Sequence, residues 1–281
     1  MLSTTTKLRV AKIASHLLLD ARSLCGLRGE TTVRRQQLRW ALDLRQGIDL
    51  AIYLGVYESD TLAFLAQRVR PGSVVIDIGA NIGALTLPLA RLVGVQGQVH
   101  AFEPTAYAYH KLLTNLALNV ELTARVSAQQ TMLLESAEAV VDEALYASWP
   151  LNTVDAALHP LHRGALMSLK GATGCSLDDY LADRSIARVD LIKLDVDGNE
   201  LRVLRGARTT LQRCRPVLVF ELAPYILDER PGTWEDILEL LKHSGYRLAD
   251  LVSKRTLPGD ANALRAWIPH GCGLNIIGEP L

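Results

Sequence analysis

Val74-Val-Ile-Asp-Ile-Gly-Ala-Asn-Ile-Gly83 runs from apolar residues through an acid into two glycines four residues apart. Val74, Val75, Ile76 and Ile78 predict a parallel strand covered on both faces, and Ala84-Leu-Thr-Leu-Pro-Leu-Ala-Arg-Leu92 then takes up helical spacing. Gly79 and Gly83 permit a tight strand-to-helix turn, where a cofactor can meet exposed backbone N–H groups near a helix N-terminus.

A dinucleotide site is the first reading of such a turn, and the residues argue against it. The middle glycine of G-x-G-x-x-G lets the backbone approach a pyrophosphate; here that position is Asn81, and the third glycine is replaced by Ala84. Asp77 would also repel phosphate while attracting a cationic amine. Gln98-Val-His-Ala-Phe-Glu-Pro104 predicts the second strand. Glu103 follows Gly83 by 20 residues, an interval that suits a carboxylate accepting both hydroxyls of a ribose. A ribose and an amine without a phosphate describe S-adenosylmethionine (SAM) better than NAD, which leaves an NAD-linked oxidoreductase as the weaker alternative.

Composition sets limits. Thirty basic residues balance 30 acidic ones, so no net field favours nucleic acid or an anionic membrane. At 281 residues and 49% apolar content the chain can fill one large α/β core with an N-terminal addition. Cys25, Cys175, Cys214 and Cys272 show no C-x-x-C pair and no regular framework, which fits free thiols in a reducing, cytoplasmic setting and argues against zinc. Leu8-Arg-Val-Ala-Lys-Ile-Ala-Ser-His-Leu-Leu-Leu19 is interrupted by Lys12 and His16 and no small-residue cleavage site follows, so it predicts an amphipathic helix and no membrane span.

Strands near 74–79, 99–103, 123–128, 189–195, 216–222, 247–251 and 272–278 alternate with helical stretches such as Ala106–Leu118, Glu200–Leu211 and Trp234–Ser244. The expected fold is α/β, a Rossmann-like doubly wound and mainly parallel sheet. Residues 1–60 are expected to form a helical cap over the site, with the catalytic domain at 61–281. The stretch from 135 to 170 reads either as a substrate loop or as a plain surface excursion.

Asp77-Ile-Gly-Ala-Asn-Ile-Gly83, Phe102-Glu-Pro104, Asp190-Leu-Ile-Lys-Leu-Asp-Val-Asp-Gly-Asn-Glu200, Leu204-Arg-Gly206 and Arg215-Pro-Val-Leu-Val-Phe-Glu221 together resemble the FkbM-type methyltransferases. The resemblance runs from about Gly47 to Pro280. Asp197 departs from it, because the family pattern K-x-D-x-E-G-x-E carries the longer Glu there. The resemblance implies a seven-stranded class I methyltransferase domain that moves a methyl group from SAM to a hydroxyl of a sugar, polyketide or related natural product. A binding or scaffold protein that kept the fold without turnover is the alternative from another class.

In open parallel sheets the site lies beyond the carboxyl ends of the strands, and Asp77, Glu103, Asp195, Asp197 and Glu221 all end predicted strands. Gly79, Ala80, Asn81 and Gly83 are expected to hold the methionine portion of SAM, and Glu103 with Pro104 the ribose. Glu58 matches a family position and is expected to close over the methionine end. After the third strand no acid is available for adenine, and Ser127, Gln129 and Gln130 are the candidates there. A hydroxyl must lose its proton as it attacks a methyl group, so a base is required. Lys193, Asp195, Asp197 and Glu200 are the densest polar group, with Asp195 the favoured base and His159 and His162 the reserves. Asp195, Asp197 and Glu221 could also hold a Mg or Ca ion.

Overall fold

The structure is a computed structural model that describes residues 3–147, 149–152, 158–161, 163–227, 229 and 233–281. His162 lies outside the described residues.

The N-terminal region departs from the all-helical expectation. Helix α1 (Thr4–Leu24) is followed by an antiparallel hairpin, β1 (Glu30–Arg35) and β2 (Leu38–Asp43), and only then by α2 (Gly47–Leu54) and α3 (Ser59–Arg68). The hairpin turns at Gln36 and Gln37, both with positive φ (50° and 64°), a geometry usually signalled by Asn-Gly. The free edge of β2 is satisfied by side chains: Arg39 N donates to Asn119 Oδ1 (2.9 Å) and Ala41 N to Asn115 Oδ1 (2.8 Å). Unpaired strand-edge amides are thereby covered where they meet the main domain.

From residue 74 the chain follows the expected alternation except between residues 131 and 175, where four unexpected short strands pair in two small sheets. In order come β3 (Val74–Ile78), α4 (Thr86–Leu92), β4 (Gln98–Phe102), α5 (Ala106–Ala117), α6 (Val120–Thr123) and β5 (Val126–Gln129). An excursion contains β6 (Thr131–Leu133), β7 (Ala144–Ala147), β8 (Ala165–Ser168) and β9 (Thr173–Cys175). The chain returns through α7 (Leu177–Asp183), β10 (Leu191–Leu194), α8 (Glu200–Arg205), α9 (Arg208–Arg213), β11 (Val217–Leu222) and α10 (Pro224–Leu227). It finishes with α11 (Thr233–His243), β12 (Tyr246–Asp250), α12 (Ala261–Trp267) and β13 (Leu274–Pro280).

The main sheet has seven strands in the order β12-β13-β11-β10-β3-β4-β5, parallel except for β13, which runs against both its neighbours. Period-two alternation sends Ile76 and Ile78 into one core with Phe220 and Trp234, and Val75 into the other with Leu87 and Leu112. Each such side chain contributes roughly 1.5–3 kcal/mol on burial. The four cysteines are free. No helix among the described residues is long and apolar enough to cross a membrane.

Topology brings the loops after β3 and β10 into contact. Gly79 (φ +76°) lies so close to the Asp195 carbonyl that an added Cβ would stand 1.8 Å from its oxygen. Gly79→Ala is expected to lower the unfolding free energy by ~2–4 kcal/mol, strain plus overpacking. Gly55→Ala, at φ +74° with nothing within 4 Å of its Cβ, should lose only the ~1–2 kcal/mol of left-handed strain. Urea denaturation measures both, and equal losses would contradict the close approach.

Candidate active site

Lys193 is the third residue of the buried strand β10 and stands opposite Asp77 in the parallel register with β3. Only 5% exposed, its ammonium donates to the Gly79 carbonyl at 3.0 Å and lies 3.7 Å from Asp77 Oδ1 and 3.5 Å from Asp195 Oδ2. Burial alone would lower its pKa, but the carboxylates of Asp195, Asp77 and Glu58 outweigh burial and hold it raised. Asp77 is fully buried and accepts from Thr86 Oγ1 at 2.6 Å. Asp77 thus points inward between Lys193 and the start of α4, and it fixes the loop without facing the cleft.

The glycine turn differs from the expectation in its amides. Gly79 N and Ala80 N both donate to the Phe102 carbonyl (3.0 and 2.9 Å), Asn81 N to Glu103 Oε2 (2.9 Å) and Gly83 N to Ala80 O (2.9 Å). Ile82 N is taken by the Asn81 side chain at 2.9 Å, and α4 starts at Thr86, two residues beyond Ala84. These amides are therefore used within the protein, so the turn is no phosphate cradle. Gly83 is needed for packing: at φ +89° its missing Cβ would lie 2.6 Å from Leu87 Cδ1 and 2.8 Å from Leu112 Cδ1.

Glu103, directly after β4, is 4% exposed and braces this turn, accepting from Asn81 N on one oxygen and from Thr105 N (2.8 Å) and Thr105 Oγ1 (2.5 Å) on the other. Burial raises its pKa, and these donors offset that rise only in part. A carboxylate offers about four lone-pair sites, so Glu103 retains acceptor capacity toward the cleft it lines.

That cleft, about 250 Å³, opens at the carboxyl ends of β3, β4 and β10. Gly79, Asn81, Glu103 and Pro104 form one wall, and Glu58, Asp195, Asp197 and Glu221 line it as well. Asp195, its side chain 29% exposed, is the first residue after β10. Asp197 adopts φ +48°, and burial together with Asp195, Glu221 and Glu200 raises its pKa well above the usual carboxylate range. Burial likewise pushes Glu221 up to about 8, helped by Asp195 and Glu58.

Other expected site residues lie elsewhere. Lys193 and Ala80 sit behind the cleft wall. The Gln129 amide donates to Ser127 Oγ at 3.0 Å and Gln130 to the Lys170 carbonyl at 2.9 Å, and none of the three lines the cleft. Thr131, Met132 and Leu133 of β6 line it instead, and the apolar run that marks them in sequence was the available signal. His159 pairs with Glu229 at 3.2 Å, outside the cleft lining. The excursion does border the cleft, through Leu145, Ala147 and Trp149. The divalent-metal expectation is not supported: among the described residues no three His, Cys, Asp or Glu side chains converge as a ligand set. Glu221 packs against Gly273, whose added Cβ would stand 1.8 Å from its Oε1, while Asp195 faces Lys193.

A model of the FkbM methyltransferase domain matches residues 77–248, more than half of the chain, and the protein belongs to that family. It is similar to the 31-O-demethyl-FK506 methyltransferase FkbM of Streptomyces tacrolimicus, 31% identical over 50% of this chain and 61% of that protein. It is also similar to the hexuronic acid methyltransferase AglP of Haloferax volcanii, 25% identical over 58% of this chain and 61% of that protein. The chain thus spans about three fifths of the length of these curated relatives. A solved methyltransferase FkbM from Methylobacillus flagellatus aligns with TM-score 0.44 and 17% identity over 74% of this chain and 43% of that one.

Glu200 opens α8 and turns back into its own loop, Oε1 accepting from Val196 N (3.2 Å) and Gly198 N (3.3 Å) while Oε2 is buried without a partner. Burial pushes its pKa from 4.5 up to about 7. A raised carboxyl pKa means the folded state binds the proton more tightly, so this contribution is complete below pH 4.5 and lost as pH rises through about 7. Glu200→Gln removes the titration and keeps the acceptor. Relative to that variant, wild-type stability in urea should fall between pH 4.5 and 8, and parallel pH profiles would refute the assignment.

Proposed function

We propose that this protein is a SAM-dependent O-methyltransferase acting on a hydroxyl of a small-molecule or glycan acceptor, such as a sugar, polyketide or related natural product. The observation that carries the reading is the cleft itself: a partly exposed Asp195 carboxylate shares it with Glu103, beside a turn whose amides are already used and so offer nothing to a phosphate. The carboxyl groups of Glu58, Asp197 and Glu221 line the same cleft, and a cation bound beside them would favour their ionised forms. Family membership and the names of the relatives, methyltransferases of a demethylated FK506 and of a hexuronic acid, support the same class of reaction.

In this reading Glu103, next to Pro104, accepts the ribose hydroxyls, and Gly79 and Asn81 shape the pocket for the methionine portion, with Ala80 and Gly83 packed behind them. Glu58 closes the other end, and Thr131–Leu133 form the face against adenine, a role that Ser127 and Gln129 are not positioned to take. SAM supplies, when bound, a methyl group on a cationic sulfur that is a strong leaving group. Asp195 then has the chemical task left to the protein: it holds the acceptor oxygen in line and takes its proton. Lys193 keeps Asp195 in place, Glu200 holds its loop, and Asp197 lines the cleft beside the acceptor position. The catalytic domain is assigned to residues 61–281, with the N-terminal region lending Thr4, Lys7 and Ile48 to the cleft wall.

Calorimetric titration with S-adenosylhomocysteine tests the cofactor site. Glu103→Ala should weaken binding by ~2–4 kcal/mol, the loss expected for charge-assisted hydrogen bonds. Asp195→Asn should leave that affinity within about threefold and slow single-turnover transfer by about 10²–10⁴-fold. Tighter binding of NAD than of S-adenosylhomocysteine would overturn the reading, and cofactor binding lost in step with activity in Asp195→Asn would move that residue out of the acceptor site.

A further inference from the structure

Beside the cleft runs a second cavity of about 490 Å³ between α1 and α2. The two adjoin, with Thr4, Lys7, Ile48, Tyr57 and Trp149 lining both. The distribution of polarity along this groove is one-sided. Its side chains that carry a hydroxyl, ammonium or indole N–H, those of Thr4, Lys7, Tyr57 and Trp149, all stand at the junction with the cleft. Beyond them the lining is wholly apolar, with Leu8, Val10 and Ala14 of α1 facing Ala51 and Leu54 of α2. Val10 and Leu54 remain 60% and 51% exposed along it, apolar surface left in water that a ligand would cover.

We infer that the groove holds the apolar body of the methyl acceptor, so that the substrate is an amphiphile with its hydroxyl-bearing end at Asp195 and a hydrocarbon portion lying between α1 and α2. The inference rests on the proposed transferase reading and narrows its acceptor class. A polar-to-apolar gradient directed away from the reactive carboxylate matches such a molecule end to end, and a purely polar sugar would leave the groove empty. The volume is within the range of small-ligand sites, ~300–1,000 Å³.

The test uses two probes that share a head group, methyl and n-octyl β-D-glucopyranoside, titrated below the micelle-forming concentration of the latter. Each methylene taken out of water contributes roughly fourfold in affinity, so even partial burial of the tail should make the octyl glucoside bind at least ~10-fold tighter. Val10→Asp and Leu54→Asp, both at exposed positions, should each remove most of that preference while methyl glucoside and S-adenosylhomocysteine bind as before. Equal binding of the two glucosides, or a preference untouched by both substitutions, would overturn the inference. So would a dimer that these substitutions dissociate, since a second copy would then be the occupant. S-adenosylhomocysteine titration of the same proteins reads the cofactor site separately: its failure with the tail preference intact would count against the transferase reading and leave an amphiphile-binding groove.

Discussion

One buried ammonium organises this protein. Lys193 lies in the central strand with Asp77 opposite it, Asp195 beyond it and the Gly79 carbonyl across its head. A charge removed from water is tolerated only when paired and hydrogen-bonded, and breaking such a pair leaves an uncompensated ion at a cost of about 3–5 kcal/mol. The constraint therefore acts on all three partners at once. It fixes where β3 ends, where the glycine turn begins and where Asp195 emerges, which are the positions that define the cleft.

The same constraint explains why the cleft is acidic and its turn is silent. Because Lys193, Thr86 and the Phe102 carbonyl engage Asp77 and the turn from within, the amides of residues 79–83 are spent on the fold. What remains toward solvent are carboxyl groups. Glu58, Glu103, Asp195, Asp197 and Glu221 share a small space, and several are shifted upward by burial and mutual repulsion. Such a site is matched to a cationic ligand and to a group that must give up a proton, and it is poorly matched to a pyrophosphate.

The central strands are legible in the sequence because buried parallel strands are written as continuous apolar runs, as in β3 and β11, and the expected bounds of all seven agree with the structure to within a few residues. The N-terminal hairpin was not, since its turn places Gln36 and Gln37 at positive φ where the usual glycine or asparagine is missing, and its outer edge is satisfied by the distant Asn115 and Asn119. Glu103 and Asp195, which the sequence puts at strand ends, both line the cleft. Lys193, Glu200 and Asp77 belong to the same motifs but turn inward, and only the tertiary register shows which carboxylates face the cleft. Ser127 and Gln129 are polar groups on the third strand, whereas the surface that lines the cleft there is β6.

The most direct measurement is a crystal structure with S-adenosylhomocysteine bound. Density is expected in the cleft with the ribose hydroxyls on the Glu103 carboxylate, the adenine against Met132 and the sulfur directed toward Asp195. A ligand that leaves Glu103 untouched, or a sulfur turned away from Asp195, would contradict it.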